Sequence, residues 1–190
     1  TSAYSGLDLL AARLDNVIVL FFLTPSAVAL FAAANRIADL LRTFTQDIAS
    51  ALAPRLVRQT RYTKRLDLAF RLYAFAMGSA LVLFALAVLP WIFPLIFTHR
   101  YDTAMPYAQA LICSVAVGNL ATMRFRYIRS RMDARNYRNL TLVGAIAKLG
   151  SLLILVPLFG LVGAVASAFV YRITILVAAH FVIRKSYSIQ

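Results

Sequence analysis

Long apolar stretches separated by connections that are alternately rich and poor in arginine constrain this chain more than any other feature. Residues 55–71 and 124–138 are heavily basic. The connections at 24–26, 98–102 and 159–162 carry one cation, Arg100, and one anion, Asp102. A chain that crosses a bilayer repeatedly retains Lys and Arg on its cytoplasmic side, so this alternation predicts an even-handed weave with the basic connections and the Arg184-Lys185 tail inside. With 62% hydrophobic residues and only 14% charged ones, 190 residues hold more apolar side chain than one water-soluble core hides.

The formal net charge of +13 would suggest nucleic acid in a soluble protein. Here most cations lie where topology demands them, so no nucleic-acid partner is expected, whereas contact with anionic membrane lipid needs no further feature. All seven acids are Asp, and 17 of the 20 cations are Arg, a bias toward bidentate contacts with phosphate or carboxylate. The single cysteine, Cys113, sits in an apolar run and reads as a small packing residue. The chain starts at Thr1 without a leader pattern and is read as part of a longer polypeptide.

Four spans are clear at approximately 72–97, 105–123, 140–159 and 161–183, each long enough for a hydrocarbon layer of about 30 Å. The segment before them is either one kinked span interrupted at Thr24-Pro25-Ser26 or two spans, 4–23 and 27–56; a polar stripe on the second favours two. The expectation is an all-α, six-helix membrane bundle forming a single domain over 1–190. Aromatic residues at the span ends are expected to anchor the interfaces, with Trp91, Phe93, Phe97, Tyr101 and Tyr107 outside and Tyr62, Tyr73, Tyr127, Tyr137 and Tyr187 inside. Ser114, Gly118 and Thr122 on one span, and Gly160, Gly163, Ala164 and Ser167 on another, have the spacing of close helix packing.

A charge at bilayer depth costs at least a few kcal/mol, so each needs a partner, water or a function. On residues 27–56, Arg36, Asp39, Thr43, Asp47, Ser50 and Pro54 recur at three- and four-residue steps along one helix side, and Arg36 can pair with Asp39 across a turn. Asn35, Arg42 and Gln46 broaden the stripe. Asp8 and Asp15 share a face of the preceding segment, near Arg13 and Asn16. Lys148 and Arg172 have no acidic neighbour within their own spans and are read as facing a cavity; Arg42, Arg13 and Asp8 have a structural alternative, snorkelling to a membrane face. His99 and His180 lack companions at metal-ligand spacing, so no metal site is expected. No phosphate loop, nucleophile elbow or His-Glu-x-x-His pair occurs, so no catalytic residue, no cofactor and no enzyme activity is expected.

The run Leu14-Asp15-Asn16-Val17-Ile18-Val19-Leu20, then Val28-Ala29-Leu30-Phe31-Ala32-Ala33-Ala34-Asn35-Arg36-Ile37 and Ala51-Leu52-Ala53-Pro54-Arg55-Leu56, resembles the seventh and eighth helices of Wzx-type polysaccharide flippases, in the multidrug/oligosaccharidyl-lipid/polysaccharide superfamily. Tyr101-Asp102-Thr103-Ala104-Met105-Pro106-Tyr107 is similar to that family's outer loop. Residues 157–167, from Pro157 through Gly160 and Gly163 to Ser167, are similar to the join of its last two core helices. The resemblance implies two spans in the first hairpin and the C-terminal lobe of a V-shaped transporter whose other lobe is a missing N-terminal half. It implies a polyprenyl-pyrophosphate oligosaccharide as substrate, O-antigen or exopolysaccharide export as the setting, and a bacterial inner membrane with the C-terminus cytoplasmic. Arg36, Lys148 and Arg172 are then the cations for diphosphate or acidic sugar, with Asp15, Asp39 and Asp47 as counter-charges or coupling groups. The competing expectations are a cation-coupled multidrug antiporter or a lipid II flippase of the same superfamily, and a membrane glycosyltransferase or polymerase.

Overall fold

The computed structural model describes residues 18–57, 64–97, 99–130 and 134–186, and every element among them is helical. A short helix at 18–22 ends where the Leu23 amide donates to the Val19 carbonyl. The chain restarts immediately as α1, Pro25–Val57. Pro25 takes the first helical position, where its missing N–H costs nothing, and the Val28 amide donates to the Thr24 carbonyl. The expected break at Thr24-Pro25-Ser26 is thus a helix boundary.

Helix α2, Lys64–Leu83, runs through a π-helical turn, Phe84–Val88, into α3, Leu89–Ile96. Pro90 cannot donate a backbone hydrogen bond, and the wider turn absorbs the loss: the Leu89 amide reaches back to the Phe84 carbonyl, and the Ala85 carbonyl accepts from Gln109 Nε2 at 3.0 Å. Pro90 and Pro94 therefore leave one continuous rod instead of breaking it. A 3-10 turn, His99–Ala104, leads into α4, Met105–Ser130.

The last element, α5, Ala134–Ser186, is folded at Gly160, whose φ of 58° and ψ of −129° no helix accommodates. The limbs run antiparallel. A Cβ on Gly163 would meet the Leu155 carbonyl and the Val156 amide, Gly144 faces Tyr171 and Ile175, and Lys148 stands over the Tyr171 ring. Small residues at 163, 164 and 167 give this close approach, as their spacing predicts.

Helix α4 is the axis of the bundle, since α1, α2 and α5 make their principal contacts with it. Burial follows the same order. Among the described residues three stretches are long and apolar enough to cross a membrane: Arg65–Ile96, Tyr101–Ile128 and Asn136–Lys185, of which Tyr101–Ile128 is the most buried. Large apolar side chains point outward all round, with Leu95 85%, Trp91 79% and Phe75 75% exposed, a surface suited to lipid and not to water. This is the pattern of a multi-pass membrane protein.

The six-span count is not what the described residues show. Most of residues 4–23 lie outside them. Helix α1 is long enough to cross, but its stripe of Asn, Arg, Asp and Thr makes it too polar to qualify beside the other three stretches. Residues 140–159 and 161–183 are, as expected, two helices, meeting at Gly160 within the single apolar stretch Asn136–Lys185.

The aromatic residues also divide differently from the expected belts. Trp91 is exposed, but Phe93 and Tyr127 are each 1% exposed and fully packed. Phe93, Phe97 and Tyr101 form a ring ladder at centroid distances of 5.0 and 5.8 Å, and the Tyr73 hydroxyl donates to the Thr45 carbonyl at 2.9 Å. An aromatic residue near a helix end stabilises by packing wherever a neighbouring helix covers it. Tyr62 and Tyr187 lie outside the described residues.

The apolar core falls into two clusters along the bundle. One joins Val19, Phe31, Leu89, Phe93, Ile112, Leu152 and Val165, with Leu23, Phe97 and Leu161 against it, at the arginine-poor end. The other joins Leu66, Phe70, Tyr127, Ile128, Leu140 and Ile183 beside the arginine-rich connections. Between them lies a polar layer.

Candidate functional site

Helix α1 separates two cavities. On one side is an open groove of about 1010 Å3, lined by Asn35, Arg36, Asp39, Thr43 and Asp47 with Ala29, Ala32, Leu40 and Phe44, and closed toward the arginine-poor end by Phe97 and Tyr101. The three- and four-residue spacing of these polar residues is what lays them along one wall. Asn35 Nδ2 donates to Asp39 Oδ2 at 3.4 Å, and Thr43 Oγ1 donates to the Asp39 carbonyl at 2.9 Å. Asp39 pairs with Arg42, Nη1 to Oδ1 at 3.5 Å, and not with Arg36 as the sequence allows. Both directions are a single turn apart, and here the carboxylate turns toward its C-terminal neighbour. Arg36 and Asp47 make no ion pair among the described residues.

On the other side of α1 is a pocket of about 400 Å3 formed with α4 and the two limbs of α5. It occupies the polar layer between the two apolar clusters. Arg42 and Gln46 of α1, Gly118, Thr122 and Arg126 of α4, Thr141 and Lys148 of the first limb, and Tyr171 and Arg172 of the second line it. Four cations converge, and among the described residues no carboxylate lines the pocket. Arg126 bridges to α1, its Nη1 donating to Ser50 Oγ at 2.8 Å and its Nη2 to the Gln46 carbonyl at 2.6 Å. Lys148 Nζ lies 5.7 Å from the Tyr171 ring centre. Arg172 crosses the face of α4 at Gly118, where a Cβ would stand 2.5 Å from Nη1 and 3.2 Å from Cδ. Gly118, read from its spacing as a helix-packing residue, is the slot through which a guanidinium passes.

The candidate residues are thus divided. Arg36, Asp39 and Asp47 share the groove, Lys148 and Arg172 share the pocket, and Asp15 lies outside the described residues. Two pocket cations escape the sequence reading. Arg42 is read as broadening the α1 stripe, with snorkelling as its alternative, and Arg126 is counted with a basic connection. A signal for Arg126 exists in the sequence, because Gly118, Thr122 and Arg126 follow at four-residue steps and must share a face of α4. Among the described residues no three His, Cys, Asp or Glu side chains gather as metal ligands would.

A scan against family models, a search of curated proteins and a search of solved structures give no match to this chain.

Proposed function

We propose that the chain is part of a flippase for polyprenyl-pyrophosphate-linked glycans, a bacterial inner-membrane transporter and not an enzyme. The observation that carries this reading is the groove along α1, a wall of Asn, Arg, Asp and Thr in a bundle otherwise faced with exposed apolar residues. Such a wall cannot face lipid without cost, and a glycan needs a wet, hydrogen-bonding route. Arg36 offers diphosphate or acidic sugar a cation, while Asp39 and Asp47 temper its hold. The six-span arrangement and a second lobe across the groove belong to this proposal, as the resemblance to Wzx-type exporters implies.

In proteoliposomes holding the full-length polypeptide, a polyprenyl-pyrophosphate oligosaccharide is expected to cross the bilayer. Arg36→Ala should slow it by roughly tenfold to a hundredfold, the worth of one charge-assisted hydrogen bond. Movement of a cationic dye with no glycolipid movement would sink the proposal. It would favour the antiporter reading, to which carboxylates Asp39 and Asp47 in the same groove lend support.

The orientation has its own test. In a Cys113→Ala background, cysteine at Arg138 is expected to react with an impermeant maleimide only from the cytoplasmic side, and cysteine at Thr103 only from the opposite side, both positions being exposed. Labelling of both from one face would refute the weave.

A further inference from the structure

We infer that the pocket between α1, α4 and the α5 hairpin is a binding site for a phosphate-bearing anion, separate from the groove. Its lining carries Arg42, Arg126, Lys148 and Arg172 and, among the described residues, no acid. Arg42 pairs with Asp39 at 3.5 Å, a carboxylate on the groove side of α1, and Arg126 donates to Ser50 and to the Gln46 carbonyl. Four cations gathered in the interior of a membrane bundle repel one another, low dielectric magnifies the repulsion, and an entering anion would relieve it.

Two further atoms point the same way. Among the described residues Arg172 Nε is buried without a hydrogen-bond partner, and so is Thr141 Oγ1, on a residue only 7% exposed; both belong to residues that line this pocket. Buried polar atoms in folded proteins are almost always partnered, so a donor and a hydroxyl left over at one cavity mark the place of an absent acceptor. A guanidinium and a hydroxyl both donate well to a phosphate oxygen, and the forked geometry of arginine suits a tetrahedral oxyanion better than a spherical ion. The volume of about 400 Å3 exceeds what one halide ion needs. The pocket lies on the half of α4 toward the arginine-rich end, so the phosphate has two possible sources: free pyrophosphate or phosphate, or the head group of an anionic lipid in the adjacent leaflet.

The site rests on the pocket alone, and its test contains no glycan, so it stands or falls apart from the export reading. The purified full-length chain in neutral detergent is melted with sodium pyrophosphate, with short-chain phosphatidic acid, and with sodium chloride at matched ionic strength. Pyrophosphate or phosphatidic acid a hundredfold above its Kd is expected to raise the melting temperature by roughly 5–10 °C over the chloride control. A response to both assigns the site to free phosphate groups, and a response to phosphatidic acid alone assigns it to a lipid head group. Arg172→Met should weaken the response about tenfold or more in Kd. Gly118→Ala, which keeps every charge but pushes the Arg172 guanidinium from its slot, should weaken it too, and the exposed Arg138→Gln should leave it intact. Either variant that melts normally without anion suffices to decide. An equal response in wild type, Arg172→Met and Gly118→Ala would overturn the site, as would no response to either phosphate compound.

Discussion

Gly163→Ala is expected to lower the melting temperature of the detergent-solubilised protein by roughly 6–12 °C, corresponding to about 3 kcal/mol in a chain of this length. The added methyl would fall on the Leu155 carbonyl and the Val156 amide of the facing limb. Those are backbone atoms inside a helix and cannot turn aside as a side chain would, so the limbs must separate along their length. Gly150 supplies the contrast. Nothing lies within 4 Å of its added Cβ, so Gly150→Ala should be neutral or stabilising by up to about 1 kcal/mol through helix propensity alone. If the two substitutions shift the melting temperature alike, the hairpin is not packed through Gly163.

Asp67→Asn is expected to cost about 3–5 kcal/mol, because it removes the charge with which a largely buried guanidinium is paired. Asp67 holds Arg124 of α4 at 3.0 Å and Arg71, one turn along α2, at 2.7 Å. The two arginines differ sharply in setting: the Arg124 side chain is 12% exposed and the Arg71 side chain 65%. Arg71→Ala should therefore cost no more than about 1 kcal/mol, as exposed pairs do. Replacing both members of the buried pair, Asp67→Leu with Arg124→Met, should recover most of the loss, since a well-packed apolar pair does as well as a buried ionic one. Melting curves of the three variants decide the matter; equal losses for Asp67→Asn and Arg71→Ala would mean that the α2–α4 bridge is solvated.

The helical class and the apolar stretches were legible in the sequence because hydropathy and charge asymmetry act over whole segments. The stripe on α1 was legible too, since spacing fixes which residues share a wall. What spacing does not fix is what stands opposite. Arg36 and Arg42 are equally good partners for Asp39 along the chain, and only α4, packing against one flank of α1 with the α5 hairpin beyond it, gives Arg42 a pocket and leaves Arg36 in the groove. Arg126 was hidden by its neighbours, because Arg124, Arg129 and Arg131 make the region read as a basic connection although Arg126 turns inward to Gln46 and Ser50. Phe93 and Tyr127 illustrate the same limit: position along a span tells how deep a ring lies but not whether another helix covers it.

A reversal made at one residue has no slack. At Gly160 the chain turns with a single non-helical conformation, and within three residues the second limb is already in backbone contact with the first. The two limbs therefore cannot slide or splay without unwinding, and α5 behaves as the closed jaws of a caliper. Lys148 rides on one jaw and Tyr171 and Arg172 on the other, so their separation is set by the fold as a gauge length that the anion proposed for this pocket would have to match.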